Sequence, residues 1–488
     1  MFPHRKEKAI QKLLPKTETI KKEEKIASVD LDNNFMYITK ELNHTADLKQ
    51  QLIQNKYGKI MVLYISTIIN KDVLQEKVIS SLLQLNETYS IELLTHSIPL
   101  PMNITSNLSM AIDYLIDGSA LLFINGMSSI LAIDLTFVEK RNIVESTTEK
   151  IIKGAHDGFI ENLDVNINLI RKRIKSPDLT IEYFTIGEKS KSKSALLYIK
   201  DIAELEVINE IKNRIHSIST SFILPSSYIE ECIQDSPISP FPQILNTERP
   251  DRAMSNLLEG RAIFLEDNNP NALIMPVNFF SFYQSPDDYN SRWLVGSFFR
   301  LIRLISFFIA ISLPAIYIAV IGFHFEVLPN ELILPIKNSI TGIPYPPLLE
   351  ALIMELTLEL IREAGIRLPT TIGQTIGIVG GLVIGDAIVK AGFISNTMVI
   401  VVALTAIASF IVPSSEMSNS IRLLRFCFMI AAATIGFLGI TCSFMILIIH
   451  LCKLESFGRP YFFPVAPLNF KGLKDTIIRK KLCGRNKE

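Results

Sequence analysis

Pro347-Leu-Leu-Glu-Ala-Leu-Ile-Met-Glu-Leu-Thr-Leu-Glu-Leu-Ile-Arg-Glu-Ala364 reads as an apolar helix that carries Glu350, Glu355, Glu359, Arg362 and Glu363. At 100° per residue, Glu355, Glu359, Arg362 and Glu363 fall within an arc of about 100°, while Glu350 points elsewhere. One charge at mid-bilayer costs about 2.5–3.5 kcal/mol, so four on one face cost on the order of 10 kcal/mol. That face must meet water, protein or its own copies. Glu359 has Arg362 and Glu363 at i,i+3 and i,i+4 spacing, and the arginine offers partial pairing. The row Leu352–Leu356–Glu359–Glu363 sets an apolar ring before an acidic one, as in a hydrophobic gate with a cation-attracting vestibule. An amphipathic helix lying in the membrane interface has the same pattern. Spacing leaves both open.

The next segment has the opposite character. From Ile372 it is nearly free of charge until Asp386, and Gly373, Gly377, Gly381 and Gly385 recur every fourth residue. Such a row lets another helix backbone approach closely; no Gly-Lys-Ser/Thr follows it to suggest a phosphate cradle. Asp386 and Lys390, four apart, can neutralise one another. The hydropathy pattern predicts four spans, Leu301–Phe323, Ile372–Ile394, Thr397–Val412 and Phe426–Leu451, with Pro314 as a kink in the first. Arg300 and Arg303 at the start of the first span, and Lys453, Arg459, Lys471, Lys474, Arg479, Lys480 and Lys481 after the last, put both ends on the cytoplasmic side and require an even count. Arg422 and Arg425 oppose that scheme. Either 347–364 also crosses or re-enters, or these arginines serve a protein contact.

Composition sets the outer bounds. The 488 residues carry no net charge, so no global field points to nucleic acid. Mean hydropathy is high for a soluble protein, and the apolar runs begin after Trp293. Residues 1–29 form a polar, Lys-rich arm without the apolar core of a signal peptide. Neither the five cysteines nor the seven histidines show ligand or disulfide spacing. Nucleophile elbow, HExxH and P-loop patterns are all missing, so no catalytic residue, metal or cofactor is expected.

Before residue 290 a soluble α/β pattern repeats. Lys59–Ser66 is a short apolar run of buried-strand type, followed by helical spacing over Lys71–Gln84. A helix over Met110–Ile116 stops at Asp117-Gly118, and strands follow at Ala120–Gly126 and Ile130–Asp134. Ala195-Leu-Leu-Tyr-Ile-Lys200 echoes Met61-Val-Leu-Tyr-Ile65, with a helix over Asp201–Ile218 after it. Met254–Leu258 ends at Glu259-Gly260, and Ala262–Val277 reads as a second hairpin. Two related α/β subdomains follow, at 30–140 and 180–290. A helical connection over 141–179 joins them, with Ser146 and Glu149 at capping-box spacing. The basic cluster Arg171-Lys-Arg173 reads as a solvated helix face, with a membrane or partner contact as the alternative. Glu248, Arg249, Asp251 and Arg252, just after Pro242, read as a structural ion-pair knot. A polytopic all-α membrane domain occupies 291–452, and a basic tail 453–488.

Six motifs carry a family resemblance: Ser239-Pro-Phe-Pro-Gln243, Thr247-Glu-Arg-Pro-Asp-Arg252, Gln284-Ser-Pro-Asp-Asp-Tyr289, Leu360-Ile-Arg-Glu-Ala-Gly-Ile-Arg-Leu-Pro369, Gly373–Gly385 and Arg422-Leu-Leu-Arg-Phe426. From about residue 50 to Tyr461 the chain resembles the A subunit of GerA-type spore germinant receptors. That resemblance implies a multi-pass protein of the spore inner membrane with its N-terminal domain on the core side. It would stand beside a transporter-like B subunit and a lipoprotein C subunit. It further implies a homo-oligomer, a pentamer, that passes monovalent cations when germinant binds. The helix with Leu352, Glu355, Leu356, Glu359, Arg362 and Glu363 would then line the pore, with Leu352 and Leu356 at the constriction. Gly385-Asp386-Ala387 departs from the Gly-Gln-Ala more usual in relatives. A non-conducting scaffold subunit, or a SpoVAF-type paralogue linked to dipicolinate release, are the alternatives.

Overall fold

Central strands form where an apolar run is covered on both faces, and the described residues hold two five-stranded sheets built around such runs. The computed structural model describes residues 25–85, 87–137, 149, 153–218, 226–369 and 385–479. They fall into two compact units, Met1–Arg141 with Ile167–Glu182, and Asn142–Asn166 with Tyr183–Glu488.

The first unit opens with α1 (Leu31–Glu41), β1 (Leu48–Asn55) and β2 (Gly58–Ile65). Next comes α2, which runs from Lys71–Val73 through a π-helical turn, Leu74–Ile79, into Ser80–Gln84. Then follow α3 (Ile91–Ser97), β3 (Met102–Thr105), α4 (Leu108–Ile116), β4 (Ser119–Ile124) and β5 (Ile130–Asp134). The sheet order is β1-β2-β4-β5-β3, every neighbouring pair antiparallel. All of β4 is buried, so its side chains need to be apolar in both directions, and Leu121, Leu122 and Phe123 meet that need.

The basic cluster on α5 (Leu163–Arg173) corrects one expectation. Arg171 is not on a solvated face: it is 1% exposed and donates from Nε and Nη2 to the two Asp47 oxygens at 2.9 and 2.8 Å. Thr45 and Thr67 donate to the same carboxylate at 2.6 and 2.8 Å. Only Lys172 of the cluster is exposed.

The second set is β6 (Leu179–Ile186), β7 (Ser192–Ile199), α6 (Leu205–Ser217), α7 (Ser226–Ile233), β8 (Leu245–Thr247), α8 (Pro250–Leu258), β9 (Ala262–Glu266) and β10 (Ala272–Met275). Its sheet order, β6-β7-β9-β10-β8, repeats the first strand for strand. The turn after α4 uses Gly118 at φ 99° and the turn after α8 uses Gly260 at φ 85°, conformations that favour glycine. A second shared device escapes sequence reading. Asn34, fourth residue of α1, accepts from Ser28 N and donates to Ser28 O, both at 2.7 Å. Asn166, fourth residue of α5, accepts from Ile160 N at 2.8 Å and donates to Ile160 O at 2.5 Å. Both amides are buried, and each clips the backbone six residues before it. The two halves are related in topology and in this detail.

The helical half contains α9 (Trp293–Gly322), α10 (Asn330–Ile340), α11 (Pro347–Arg367), α12 (Asn396–Phe410), α13 (Ser415–Ile435) and α14 (Phe437–Lys453). Two of these, α9 and α13, are long and apolar enough to cross a membrane, while α12 and α14 are shorter apolar helices. The predicted single span Phe426–Leu451 is overturned. Gly436, at φ 62° and ψ −137°, reverses the chain, and α13 and α14 lie side by side as a hairpin. The rings of Phe428 and Phe444 are 4.8 Å apart, whereas a straight helix would separate those residues by about 24 Å. Of the predicted span Ile372–Ile394, residues 385–394 lie among the described residues and hold the short helix Gly385–Lys390; Gly373, Gly377 and Gly381 lie outside them.

The hairpin also removes the conflict over Arg422 and Arg425. It returns α14 to the end where α13 began, so these arginines share one end of the bundle with Lys453 and Arg459.

Candidate functional site

Ser239-Pro-Phe-Pro-Gln243 clasps the foot of that hairpin. Its two prolines have no N–H to give to a sheet ladder, and their carbonyls serve as acceptors. Pro240 O accepts from Ser420 Oγ of α13, and Pro242 O accepts from Tyr461 Oη at 2.7 Å. Ser239 Oγ and His450 Nε2 of α14 are 2.9 Å apart. Gln243 clips Ser236 through both ends of its amide, at 2.9 and 2.7 Å, and its carbonyl accepts from Ser456 Oγ at 2.9 Å. One short loop therefore holds α13, α14 and the tail beyond them.

The neighbouring charged motifs complete the collar. Arg249 pairs with Asp251 at 2.7 Å and donates to Ala155 O at 2.8 Å. The Glu248 carbonyl accepts from Phe159 N at 2.7 Å. Arg252 reaches Glu149 at 2.5 Å and Ser281 O at 3.1 Å. In Gln284–Tyr289, Ser285 and Asp288 form a reciprocal capping box at the start of Pro286–Asn290. The same Asp288 carboxylate takes Arg300 at 3.0 Å and Arg303 at 2.7 Å from the first turns of α9. The end of the second sheet region and the start of the bundle thus share one buried anion.

Glu230 of α7 and Glu416 of α13 line the same groove beside Ser239, Pro240 and Ser420. Burial, followed by the Glu416 charge, pushes the Glu230 carboxyl up to about 8. An unfolded chain releases that proton near the ordinary glutamate value of about 4.3. The folded state therefore binds the extra proton between these values, and stability falls as pH rises through that window. Glu230→Gln is expected to flatten this loss, read as melting temperature of the detergent-solubilised protein against pH.

The core of the bundle is a three-helix node. Pro314 has no N–H, so the Ala310 carbonyl four residues earlier in α9 loses its helical donor. Arg425 of α13 supplies the replacement, donating from Nε to Ala310 O at 2.8 Å. Its Nη1 donates to Glu355 Oε2 of α11. Both residues are buried, at 2% and 1% exposure, and each keeps one unsatisfied atom, Arg425 Nη2 and Glu355 Oε1. One turn along, Arg422 Nη1 meets Glu359 at 2.7 Å. Residue numbers rise on α11 as they fall on α13, so the two helices run antiparallel and face each other through two ion-pair rungs.

The predicted pore residues divide accordingly. Glu355 and Glu359 turn toward α13, and the Arg362 guanidinium sits 3.9 Å from Glu359 and 4.3 Å from the Phe410 ring centre. Glu350 is buried and accepts from Ser395 N, at the cap of α12. Leu356 and Leu360 point away from the bundle at 58% and 63% exposure, Leu352 is half-buried, and exposed Glu363 pairs with Arg367 at 2.6 Å. The charges expected to share one arc are split between an inward and an outward face. Gly385 begins a short helix in which Asp386 and Lys390 pair at 2.7 Å. Sequence reasoning missed the Asn34 and Asn166 clips, the Ala310–Arg425 contact and His450. Of these, only Pro314 left a signal, because a proline in a helix announces a free carbonyl four residues back.

The family model described as Bacillus/Clostridium GerA spore germination protein matches residues 36–488. Spore germination protein KA of Bacillus subtilis is 38% identical over 462 residues, which cover 93% of this chain and 85% of that protein. Spore germination protein B1 of the same organism is 40% identical over 456 residues, 92% and 94% of the two chains. The uncharacterized membrane protein YfkQ, also from Bacillus subtilis, is 43% identical over 374 residues, 77% and 73%. The crystal structure of the N-terminal domain of the A subunit of the Bacillus megaterium spore germinant receptor GerK3 aligns with a TM-score of 0.42 at 28% identity, over 53% of this chain and 99% of that one.

Proposed function

The chain belongs to the GerA family of spore germination proteins, and from that premise we propose that it is the A subunit of a nutrient germinant receptor and acts as a germinant-gated cation channel. Copies of α11, brought together around a common axis in a homo-oligomer such as a pentamer, form the path for monovalent cations. Transporter-like B and lipoprotein C subunits complete the receptor in the spore inner membrane, with the α/β region on the core side. Germinant binding on the partner reaches the bundle through the Ser239–Gln243 collar.

One observation carries this reading. Glu355 and Glu359 of α11 are paired inside their own chain, which leaves a row of Leu352, Leu356 and Glu363 to meet the same row of other copies. Leu356 then sits where a constriction forms. Leu356→Ala is expected to raise nutrient-free germination about tenfold or more, since opening a closed gate shifts a two-state equilibrium. Leu356→Ala spores that stay dormant and respond normally sink the gate assignment.

The inward turn of Glu355 and Glu359 favours one rival, a scaffold that passes the signal to a separate channel, because it leaves Glu363 as the single acidic group on the outward row. Current through purified protein in vesicles decides between them: a channel conducts and a scaffold does not.

A further inference from the structure

The ladder between α11 and α13 has more acidic positions than it uses. Glu355, Glu359 and Glu363 recur every fourth residue on α11, and Arg425 and Arg422 face them from α13. In the structure Glu355 meets Arg425 and Glu359 meets Arg422, while Glu363 takes Arg367 of its own helix instead. The helices are antiparallel, so a slide of α11 by one turn brings Glu359 to Arg425 and Glu363 to Arg422. Two rungs exist in either position.

We propose that α11 has two registers against α13, one helical turn apart, and that the exchange of rungs Glu355–Arg425 and Glu359–Arg422 for Glu359–Arg425 and Glu363–Arg422 is the movement that switches the bundle. Packed helices change by such discrete steps because interdigitated side chains allow few intermediate positions. Four residues of helix advance the face by about 40°, so the slide also rotates α11 and turns the Leu352–Leu356 row.

The incomplete satisfaction of the present rung marks it as the one that is released. Glu355 Oε1 and Arg425 Nη2 are buried without partners, so the observed register is strained where it is most enclosed. After the slide Glu355 has no arginine opposite it, and a buried unpaired carboxylate is costly. That penalty holds the observed register at rest. The Glu363–Arg367 pair is exposed at 61% and 77%, and exposed pairs of this kind are cheap to give up.

Opposite consequences follow for the two ends of the ladder. Glu355→Gln strands Arg425 in the observed register and removes the penalty in the other, so it shifts α11 forward. Glu363→Gln weakens the second register alone. The test is a pulsed electron–electron distance between spin labels on the full chain at Leu360 and Ile435, both exposed and far apart along the helix pair, so that a slide changes their separation. Glu355→Gln is expected to move the main distance by about one turn, roughly 5 Å, while Glu363→Gln keeps the wild-type distance. Should Glu355→Gln fail to fold, Glu355→Asp, which keeps the charge but loses reach, is expected to populate both distances. An unchanged distance in a folded Glu355 variant, or the same shift in both ends of the ladder, overturns the proposal.

Spores give a second reading. Glu355→Gln is expected to raise nutrient-free germination about tenfold and Glu363→Gln to slow the nutrient response about tenfold; wild-type behaviour of both variants counts against the switch. Only the link to ion flow rests on the channel reading. A shifted distance with no current in vesicles leaves the two registers standing and sinks the channel, whereas current with an unshifted distance does the reverse.

Discussion

Gly439→Leu is expected to abolish the folded hairpin and with it nearly all full-length protein recoverable in detergent. A Cβ on Gly439 would overlap the Ala431 carbonyl of the facing helix, which is backbone and cannot step aside. Even Gly439→Ala is expected to cost about 3 kcal/mol, the upper part of the usual overpacking range. An ordinary helical glycine behaves the other way, because alanine in its place stabilises by about 1 kcal/mol. Gly365 in α11 provides that control, since a Cβ placed there would meet nothing within 4 Å and the helix around it is regular. Thermal melts of the two alanine variants should therefore move in opposite directions. A Gly439→Ala protein that melts at or above the parent temperature would remove the case for the hairpin.

Asp47→Asn carries the second large effect. Asp47 and Arg171 are 0% and 1% exposed, and removing one charge leaves the other buried without a counterion. The expected loss is about 3–5 kcal/mol, read as exchange protection lost across β1–β5 in the full chain. The paired change Asp47→Leu with Arg171→Met is expected to recover much of it, because an apolar pair owes no desolvation penalty. The same pair sets an acid limit. Burial works against the Asp47 charge, but the Arg171 charge and the hydrogen bonds from Arg171, Thr45 and Thr67 outweigh it and hold the carboxyl below the usual range. The unfolded chain takes up its proton first, near pH 4, so this stabilisation is complete above about pH 4 and is lost as pH falls through the lowered folded value. A melting curve that is flat from neutral pH down to about 2 would contradict it.

What the sequence revealed depended on how many faces of an element are covered. The central strands β2, β4, β5, β7, β9 and β10 were legible because both faces are buried and each reads as an apolar run. The strands that escaped notice, β1, β3, β6 and β8, are the edges of the two five-stranded sheets. Leu48-Lys-Gln-Gln-Leu-Ile-Gln-Asn55 shows why: Lys49, Gln50, Leu52 and Gln54 are exposed, and its pairing with β2 is decided by the neighbour. The reversal at Gly436 was hidden for a different reason. A glycine in an apolar run fits a continuous helix as well as a turn, and the close approach of Gly439 to Ala431 separates the two. The charged helix was legible as one whose charges need partners. Its partners were not, since Arg422 and Arg425 lie 63 and 70 residues from the glutamates they meet.

The Pro314–Ala310–Arg425 contact also bears on how the protein is made. An arginine entering a bilayer alone is costly, and the cost falls when a carbonyl or carboxylate is waiting for it. Synthesis runs from the N-terminus, so Ala310 and Glu355 leave the ribosome before Arg425 does. The acceptor freed by the proline and the counterion on α11 are therefore already synthesised when α13 follows. Chain order thus supplies this arginine after both of the groups that receive it.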